Sequence, residues 1–303
     1  MDSFPFYDLF STKMDIKKSL NELVKEDQKK EPKDHFFRIL INRESDLPLY
    51  KITDYFSERC RIKCSFSKKD SPIVIFKKRL SHFEKIEFKD YFDFDLYFRS
   101  TVLNCSNFPL PVAVEVYKYF KPTRILDFSA GWGDRLIAAI AYSKTTNRKI
   151  EYHGIDPSKC MSKIYKKIVS FFDVDPSKFF VRKKPFEDYS PKKEYYDLVF
   201  TSPPFFNYEV YEKDNPHQSS EKWRNGNEWK ENFLFPALLK SYQSLKEEGI
   251  LALYVADIKW FSYVKDMKTE SIKIGFKFLG TIDWVNLERK GKLKTRKIYV
   301  FKK

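Results

Sequence analysis

Cysteine, histidine, methionine and glycine are all scarce in this sequence, and their scarcity excludes whole classes of protein. There are 4 cysteines, 4 histidines, 4 methionines and 8 glycines among 303 residues. Four irregularly spaced cysteines do not make the dense framework of a small secreted disulfide-rich domain, so we expect a reducing compartment. Cys60 and Cys64 have no second pair of metal ligands nearby, so we expect free thiols and no metal site.

Long apolar runs are also missing. No stretch approaches the roughly 18 apolar residues of a membrane span. The first residues lack the basic flank and apolar centre of a signal peptide. We therefore expect an intracellular protein, cytoplasmic or nuclear, with no membrane partner. A hydrophobic content of 42%, with 30 Phe and 19 Tyr, is enough for a sizeable core in one or two domains.

Acidic residues are fewer than basic ones, and the net charge of +15 suits a polyanionic partner. Residues 289–303 contain eight basic residues and no acidic one. Lys292, Lys294 and Arg296 in this segment are candidates to contact nucleic-acid phosphates. The alternative is a solubilising edge strand. The high Lys, Phe and Tyr content is typical of an AT-rich genome, such as that of a large DNA virus, and codon bias would supply part of the charge.

Two of the few glycines fall in one run, Asp-Phe-Ser-Ala-Gly-Trp-Gly-Asp-Arg at residues 127–135. An apolar, β-prone segment at 124–128 precedes the glycines, and the all-apolar segment 136–141 follows them. A strand, a glycine turn and a buried helix form the nucleotide-binding half of a doubly wound α/β fold. The dinucleotide fingerprint requires a third glycine, and Leu136 stands at that position instead.

Two further strands are predicted at residues 149–155 and 179–182. Asp156 ends the first of them, where an acid can accept hydrogen bonds from ribose hydroxyls. Its alternative role is to cap the helix that starts near residue 158. The third strand leads to Phe186, Glu187 and Asp188, which are either part of a binding site or a charged surface loop.

A fourth strand at residues 195–200 runs directly into Thr-Ser-Pro-Pro-Phe-Phe at 201–206. Two prolines fix the backbone and remove two N–H donors, so this turn offers rigid acceptors. An acceptor-only site suits the binding of an amino group. The alternative is a simple Pro-Pro turn after a buried strand.

Together, these two segments resemble the class I S-adenosylmethionine-dependent methyltransferases that act on amino groups of nucleic-acid bases. The resemblance implies S-adenosylmethionine as the cofactor, with its methionine part near Asp127, Ser129, Gly131 and Gly133. It also implies that Asp156 binds the ribose, and that Phe186 with either Glu187 or Asp188 binds the adenine. Ser202, Pro203, Pro204 and Phe205 would form the catalytic motif, in which Ser202 and the Pro203 carbonyl hold the amino group and Phe205 stacks on the flipped base.

Serine at the first position of this motif favours cytosine N4 over adenine N6 as the target, because Asp or Asn is usual in the adenine enzymes. Cytosine C5 chemistry needs a thiolate, typically in a Pro-Cys motif, and no cysteine here follows a proline. DNA is preferred over RNA as the partner. An RNA base methyltransferase and a catalytically silent nucleic-acid-binding subunit remain alternatives, and the oligomeric state remains open.

The remaining segments complete a predicted Rossmann-like, seven-stranded α/β sheet with helices on both faces, over residues 93–303. A helix at 228–248 ends at Gly249, a strand follows at 250–255, and a terminal strand pair covers 276–286 and 296–301. Residues 1–92 form an accessory or target-recognition region, or only a structural cap. In the loop 207–227, we expect closure over substrate, with Tyr208, Trp223 and Arg224 contacting nucleic acid unless it is a plain surface loop.

Overall fold

The computed structural model describes residues 17, 20, 30–33, 36–41, 43–66, 70–79, 81, 85–87, 97, 105–213, 215–287 and 293–303. Its strands are β1 (Lys30–Lys33), β2 (Phe36–Ile41), β3 (Ser65–Phe66), β4 (Arg124–Asp127), β5 (Glu151–Asp156), β6 (Phe179–Lys183), β7 (Tyr196–Thr201), β8 (Glu209–Val210), β9 (Leu245–Tyr254), β10 (Lys277–Leu287) and β11 (Leu293–Lys302). Its helices are α1 (Arg43–Arg61), α2 (Pro72–Lys78), α3 (Leu110–Phe120), α4 (Asp134–Thr146), α5 (Lys159–Phe171), α6 (Ser219–Lys222), α7 (Gly226–Trp229), α8 (Phe235–Ser244) and α9 (Val264–Ile274).

The main sheet has the strand order β1-β2-β10-β11-β9-β7-β4-β5-β6. Strands β9, β7, β4, β5 and β6 are parallel, and β11 lies antiparallel between β9 and β10. The chain moves outward from β4 to β6 and then crosses back to β7 on the other side of β4. The switch point therefore lies between β4 and β7, where doubly wound sheets bind ligands at the carboxyl ends of their strands.

The predicted seven-stranded Rossmann-like sheet is confirmed over β4 to β11, leaving the short β8 aside. The hairpin of β1 and β2 extends this sheet at one edge, because β2 pairs in parallel with β10. Part of the predicted accessory region thus shares a sheet with the rest of the chain. The division at residues 92 and 93 stays a prediction.

Helices cover both faces of the sheet, as expected. Neighbouring strand residues point to opposite faces, so Ile125 packs with the cluster around α3, α4 and α5. Leu126 packs with the cluster around α8 and α9. In α4, every residue from Leu136 to Tyr142 is buried, which explains why this segment is apolar all round.

The predicted end of the helix at 228–248 is wrong. Helix α8 stops at Ser244 and β9 begins at Leu245, so Gly249 lies inside a strand. The pairing of β9 with β7 jumps from Tyr196–Leu245 to Leu198–Ile250, which leaves residues 246–249 as a bulge. A Cβ on Gly249 would lie 2.7 Å from the Lys246 carbonyl oxygen, so the bulge itself requires this glycine.

The expectation of free thiols at Cys60 and Cys64 is also wrong. Cys60 is bonded to Cys160 and Cys64 to Cys105, at sequence separations of 100 and 41. The spacing of the cysteines in the sequence could not predict this pairing, because α1 comes to lie against α5 only in the folded chain. Cysteine usage therefore no longer supports a reducing compartment. In the described part of the chain, no helix has the length and apolar character that a bilayer span requires.

Helix α1 buries charged residues that could otherwise have formed a recognition surface. Arg61 is fully buried, forms an ion pair with Asp54 at 2.9 Å and another with Glu58, and donates a hydrogen bond to the Cys105 carbonyl at 3.2 Å. The Phe56 ring packs on the aromatic end of α5. Residues 54–61 of α1 thus pack against α5 and the segment at Cys105.

Candidate active site

Two adjoining cavities lie at the carboxyl ends of the parallel strands. The first cavity has a volume of about 830 Å³ counting its open mouth. The second has about 1640 Å³ on the same basis. Four residues line both cavities, namely Ser106, Phe108, Ser202 and Tyr211. The two cavities therefore meet at the end of β7, next to the switch point of the sheet.

The glycine loop after β4 forms one wall of the first cavity. Gly131 lines it with a φ of 57°, which favours glycine, and donates its N–H to Asp156 at 2.8 Å. Gly133 has a φ of 89° and caps α4, but it does not line the cavity. A Cβ there would lie 3.0 Å from Ile168, so Gly133 serves the packing of the loop on α5.

Asp127 supports this loop from below and does not line either cavity. Its carboxylate pairs with the Arg135 Nε at 2.8 Å and accepts a hydrogen bond from the Tyr152 hydroxyl at 2.5 Å. Arg135 lines the first cavity and also donates to the Ser129 carbonyl at 2.5 Å. Asp127 thus acts on the cavity through two residues that line it, Arg135 and Ser129, whose backbone N–H donates to the Asp127 Oδ1 at 3.2 Å.

Asp134 was missed by the sequence analysis, although it directly follows the second glycine of the loop. It is 3% exposed and lines the first cavity. Its Oδ2 accepts a hydrogen bond from the Phe108 N–H at 3.3 Å, while Oδ1 is buried without hydrogen-bond geometry to any described residue. Burial raises the pKa of Asp134 to about 7, and nearby Thr53 offsets part of this rise. The cavity thus contains an acid whose Oδ1 makes no hydrogen bond of ordinary geometry, with the Thr53 side chain nearby.

Asp156 lines the first cavity at the end of β5. Its carboxylate accepts the N–H groups of Gly131 at 2.8 Å and Ser158 at 2.9 Å, and burial raises its pKa to about 6. The alternative role as a helix cap is wrong. Ser158 caps α5 instead, with its Oγ accepting the Met161 N–H at 3.1 Å.

A short 3₁₀ turn after β6, Phe186–Asp188, closes one end of the first cavity. Phe186 and Glu187 line the cavity, whereas Asp188 does not. The Lys240 ammonium donates to the carbonyls of Phe186, Glu187 and Tyr189 at 3.0, 2.6 and 2.9 Å, which fixes the turn. Of the two acids that the sequence left open, the geometry favours Glu187, whose carboxylate also pairs with Lys222 at 2.9 Å.

The residues of the Ser-Pro-Pro-Phe motif are divided between the two cavities. Ser202 lines both, Pro204 lines the first and Phe205 lines the second. Pro203 is buried and lines neither. The Phe205 ring stands edge-on to Tyr254, with ring centroids 5.3 Å apart. Ser202 is therefore the one motif residue that faces both spaces.

The second cavity brings together residues that are distant in sequence. Tyr208, Lys294 and Arg296 line it, as do three residues that the sequence did not single out, Phe66, Glu209 and Trp284. The Arg296 guanidinium lies over the Trp284 ring at 4.8 Å. Trp223 and Arg224 line neither cavity, and the Arg224 side chain is 84% exposed. Lys292 lies outside the described residues.

The loop after the motif folds back over the first cavity. The Glu212 carboxylate accepts the N–H groups of Lys159 and Cys160, both at 2.9 Å, and Asn215 donates to the Pro157 carbonyl at 3.1 Å. These contacts anchor the loop to the start of α5. As a result, residues 217–219 line the first cavity and Tyr208 lines the second.

Comparisons with known proteins give a fold-level likeness only. No family model and no curated protein matches this sequence. Among solved structures, TrmN from Thermus thermophilus is 13% identical with a TM-score of 0.45, over 65% of this chain and 49% of that one. The [4+2]-cyclase SpnF is 14% identical with a TM-score of 0.42, over 58% and 59%. A SAM-dependent methyltransferase from Aquifex aeolicus is 13% identical with a TM-score of 0.42, over 62% and 88%. Likenesses this weak carry no argument about activity, so the function must be inferred from the site.

Proposed function

We propose that this protein transfers a methyl group from S-adenosylmethionine to the exocyclic amino nitrogen of a nucleic-acid base. Cytosine N4 is preferred over adenine N6, and DNA over RNA. The observation that carries this proposal is the position of Ser202, which lines both cavities where they meet. A transfer between two bound molecules requires such a shared boundary, because the reacting atoms must be held in contact.

The first cavity fits S-adenosylmethionine, which when bound supplies an electrophilic methyl group on a sulfonium ion. Asp134 offers a buried carboxylate oxygen to a cation such as the methionine ammonium. Arg135 and the N-terminus of α4 suit the methionine carboxylate. Asp156 suits the ribose hydroxyls, and Phe186 with Glu187 suits the adenine ring and its amino group.

The second cavity fits a base that has left its stack. Phe205, whose ring is only partly buried, lines this cavity together with Lys294, Arg296 and Lys297. Aromatic stacking stabilises an extruded base, and basic side chains bind the flanking phosphates. The net charge of +15 supports the same partner.

The reaction needs acceptors because the lone pair of an exocyclic amino group is delocalised into the ring. An acceptor that binds an amino hydrogen favours tetrahedral nitrogen and frees the lone pair for attack. Ser202 Oγ can accept one such hydrogen bond at the boundary of the cavities. The protein then contributes positioning and electrostatic stabilisation.

Nucleoside mass spectrometry tests this proposal. The protein is incubated with methyl-labelled S-adenosylmethionine and with genomic DNA or total RNA, and each nucleoside is examined for label. Label in N4-methylcytosine of DNA is the expected result. Label in N6-methyladenine, or in an amino-methylated base of RNA alone, would keep amino methylation but reject the stated target. The absence of label from every nucleoside would overturn the proposal.

A further inference from the structure

Methylation of an amino group is favoured by two hydrogen-bond acceptors for its hydrogens and by a base that takes the released proton. The Ser-Pro-Pro-Phe motif provides only part of this set. Ser202 offers one hydroxyl oxygen where the two cavities meet. Pro203, whose carbonyl was the expected second acceptor, is buried and lines neither cavity. A hydroxyl is also a poor proton acceptor near neutral pH. The site therefore needs another group with a basic oxygen.

Glu209 stands where such a group is needed. It lies four residues after Phe205, in β8, which pairs with β3 so that Glu209 is opposite Phe66. Glu209 lines the second cavity together with Ser202 and Phe205. The short strand pair holds its backbone in place, although the surrounding segment is otherwise a loop.

Glu209 lies near the boundary between the cavities. It lines the second cavity together with Ser106 and Tyr211, whose backbone N–H and hydroxyl favour its ionised form. Both Tyr211 and Ser106 line the two cavities, as Ser202 does. A carboxylate has about four lone-pair sites, so these two neighbours leave room for a further donor.

We propose that Glu209 is a catalytic residue of this site, accepting a hydrogen bond from the target amino group and then taking its proton. This inference rests on the proposed function. Glu209 would supply the basic acceptor oxygen that the hydroxyl of Ser202 cannot provide. It also favours amino-bearing bases, because a carboxylate repels the keto oxygen that thymine or uracil presents at the same place.

The step balances in atoms and charge. As the amino nitrogen forms its bond to the methyl carbon, the carbon–sulfur bond breaks and its electron pair goes to sulfur. The nitrogen then carries a positive charge. The electron pair of one N–H bond returns to nitrogen, and the proton passes to an oxygen of Glu209, which becomes a neutral carboxyl group.

The surroundings tune Glu209 for this role. Burial raises its pKa to about 7, and the hydrogen bonds from Tyr211 and Ser106 and the charge of Arg61 oppose that rise. Arg61 is itself paired with two acids, which limits its effect. The other titratable or charged groups around the second cavity are Tyr208, Tyr254, Asp257, Lys259, Lys294, Arg296, Lys297 and Tyr299. A general base with a pKa near the working pH is the most effective kind.

Glu209→Gln tests the inference, because the amide keeps the size and one acceptor oxygen but cannot take a proton. We expect turnover to fall by at least about 100-fold, the usual contribution of a general base. S-adenosylmethionine affinity by calorimetry should stay within about twofold, which also reports an intact fold. At saturating S-adenosylmethionine, the wild-type kcat/KM for nucleic acid should rise with pH through about 7, and the variant should lose this rise. Glu228→Gln, an exposed acid that lines neither cavity, is the matched control.

Two results would overturn the inference while leaving the proposed function intact. One is a Glu209→Gln enzyme that turns over within about threefold of wild type. The other is a loss confined to KM with an unchanged pH profile, which would make Glu209 a binding residue only. If the wild type labels no nucleoside at all, the proposed function fails first and this inference fails with it.

Discussion

The two cavities are built in different ways. Most of the first cavity is assembled from loops that follow successive parallel strands, from Ser129 after β4 to Glu187 after β6, and residues 217–219 complete it. The second is assembled from segments far apart in sequence, including Phe66, Glu209 and Arg296. The first cavity is thus fixed largely by one repeated pattern of strand, loop and helix. The second cavity depends on how an N-terminal segment, a loop and a terminal hairpin meet.

The largest expected effect on the difference between the two cavities concerns the Cys64–Cys105 disulfide, which joins two walls of the second cavity. Cys64 precedes β3, and Cys105 precedes Ser106. Closing a 41-residue separation stabilises the folded chain by about 4 kcal/mol on chain-entropy grounds. We expect Cys64→Ala with Cys105→Ala to lower the free energy of unfolding by about that amount, measured by urea titration.

The same double variant tests whether the two cavities can be perturbed separately. Nucleic-acid KM should rise more than the dissociation constant of S-adenosylmethionine, because the first cavity keeps its own loops. Cys60→Ala with Cys160→Ala is the control, since that bridge joins α1 to α5 instead of the walls of the second cavity. Equal losses of cofactor and substrate affinity in the Cys64 variant would contradict the separate construction of the cavities.

A smaller effect is expected for Asp134→Asn in the first cavity. If the Asp134 carboxylate binds the cofactor ammonium, the substitution should lower the affinity for S-adenosylmethionine by roughly 100-fold. An effect of this size is usual when one partner of a buried charge pair is removed. The pKa of Asp134 is about 7 in the protein, and a cation binds the ionised form. Wild-type affinity should therefore increase as the pH rises from 6 to 8, and the variant should not show this increase.

Isothermal titration at both pH values checks this prediction. Asp173→Asn is the control, because Asp173 is an exposed acid that lines neither cavity. If the Asp134 variant binds S-adenosylmethionine at pH 8 as tightly as wild type, Asp134 does not bind the methionine ammonium. Nucleic-acid binding without cofactor should be the same in wild type and variant.

The sequence predicted the first cavity far better than the second, for physical reasons. Short apolar runs ended by glycine or proline mark β4 and β7, and the glycine loop and the Ser-Pro-Pro-Phe motif follow them directly. Asp134 could have been found from its place after Gly133. Glu209 had only one signal, which is that it is the sole acid among the aromatic residues just after Phe205.

Other features depend on contacts that spacing does not encode. The charged residues 246–248 look like the end of a helix, yet they bulge from β9 because Leu245 and Ile250 both pair with β7. The cysteines pair only when α1 lies on α5 and beside residue 105. Asp127 has the position of a cofactor ligand in the motif, but its carboxylate is occupied by Arg135 and Tyr152.

Phe205→Ala should have an effect somewhat smaller than that of Asp134→Asn, and on the other cavity. Lost base stacking is worth about 1–3 kcal/mol, so turnover on nucleic acid should fall by roughly 10- to 100-fold. S-adenosylmethionine affinity should be unchanged, because Phe205 does not line the first cavity. Tyr119→Ala, an exposed aromatic on α3 that lines neither cavity, is the control. A wild-type rate in the Phe205 variant would show that the target base does not bind in the second cavity.

The smallest effect is expected for Arg296→Ala at the edge of the second cavity. If Arg296 contacts one phosphate, binding should weaken about equally for all sequences, and the slope of log affinity against log salt should fall by about 1. Fluorescence anisotropy at several salt concentrations measures both quantities. Lys273→Ala removes a 76% exposed charge from α9 and should leave the slope unchanged. Equal changes in the two variants would mean that net charge alone attracts the nucleic acid, and that the second cavity adds no phosphate contact of its own.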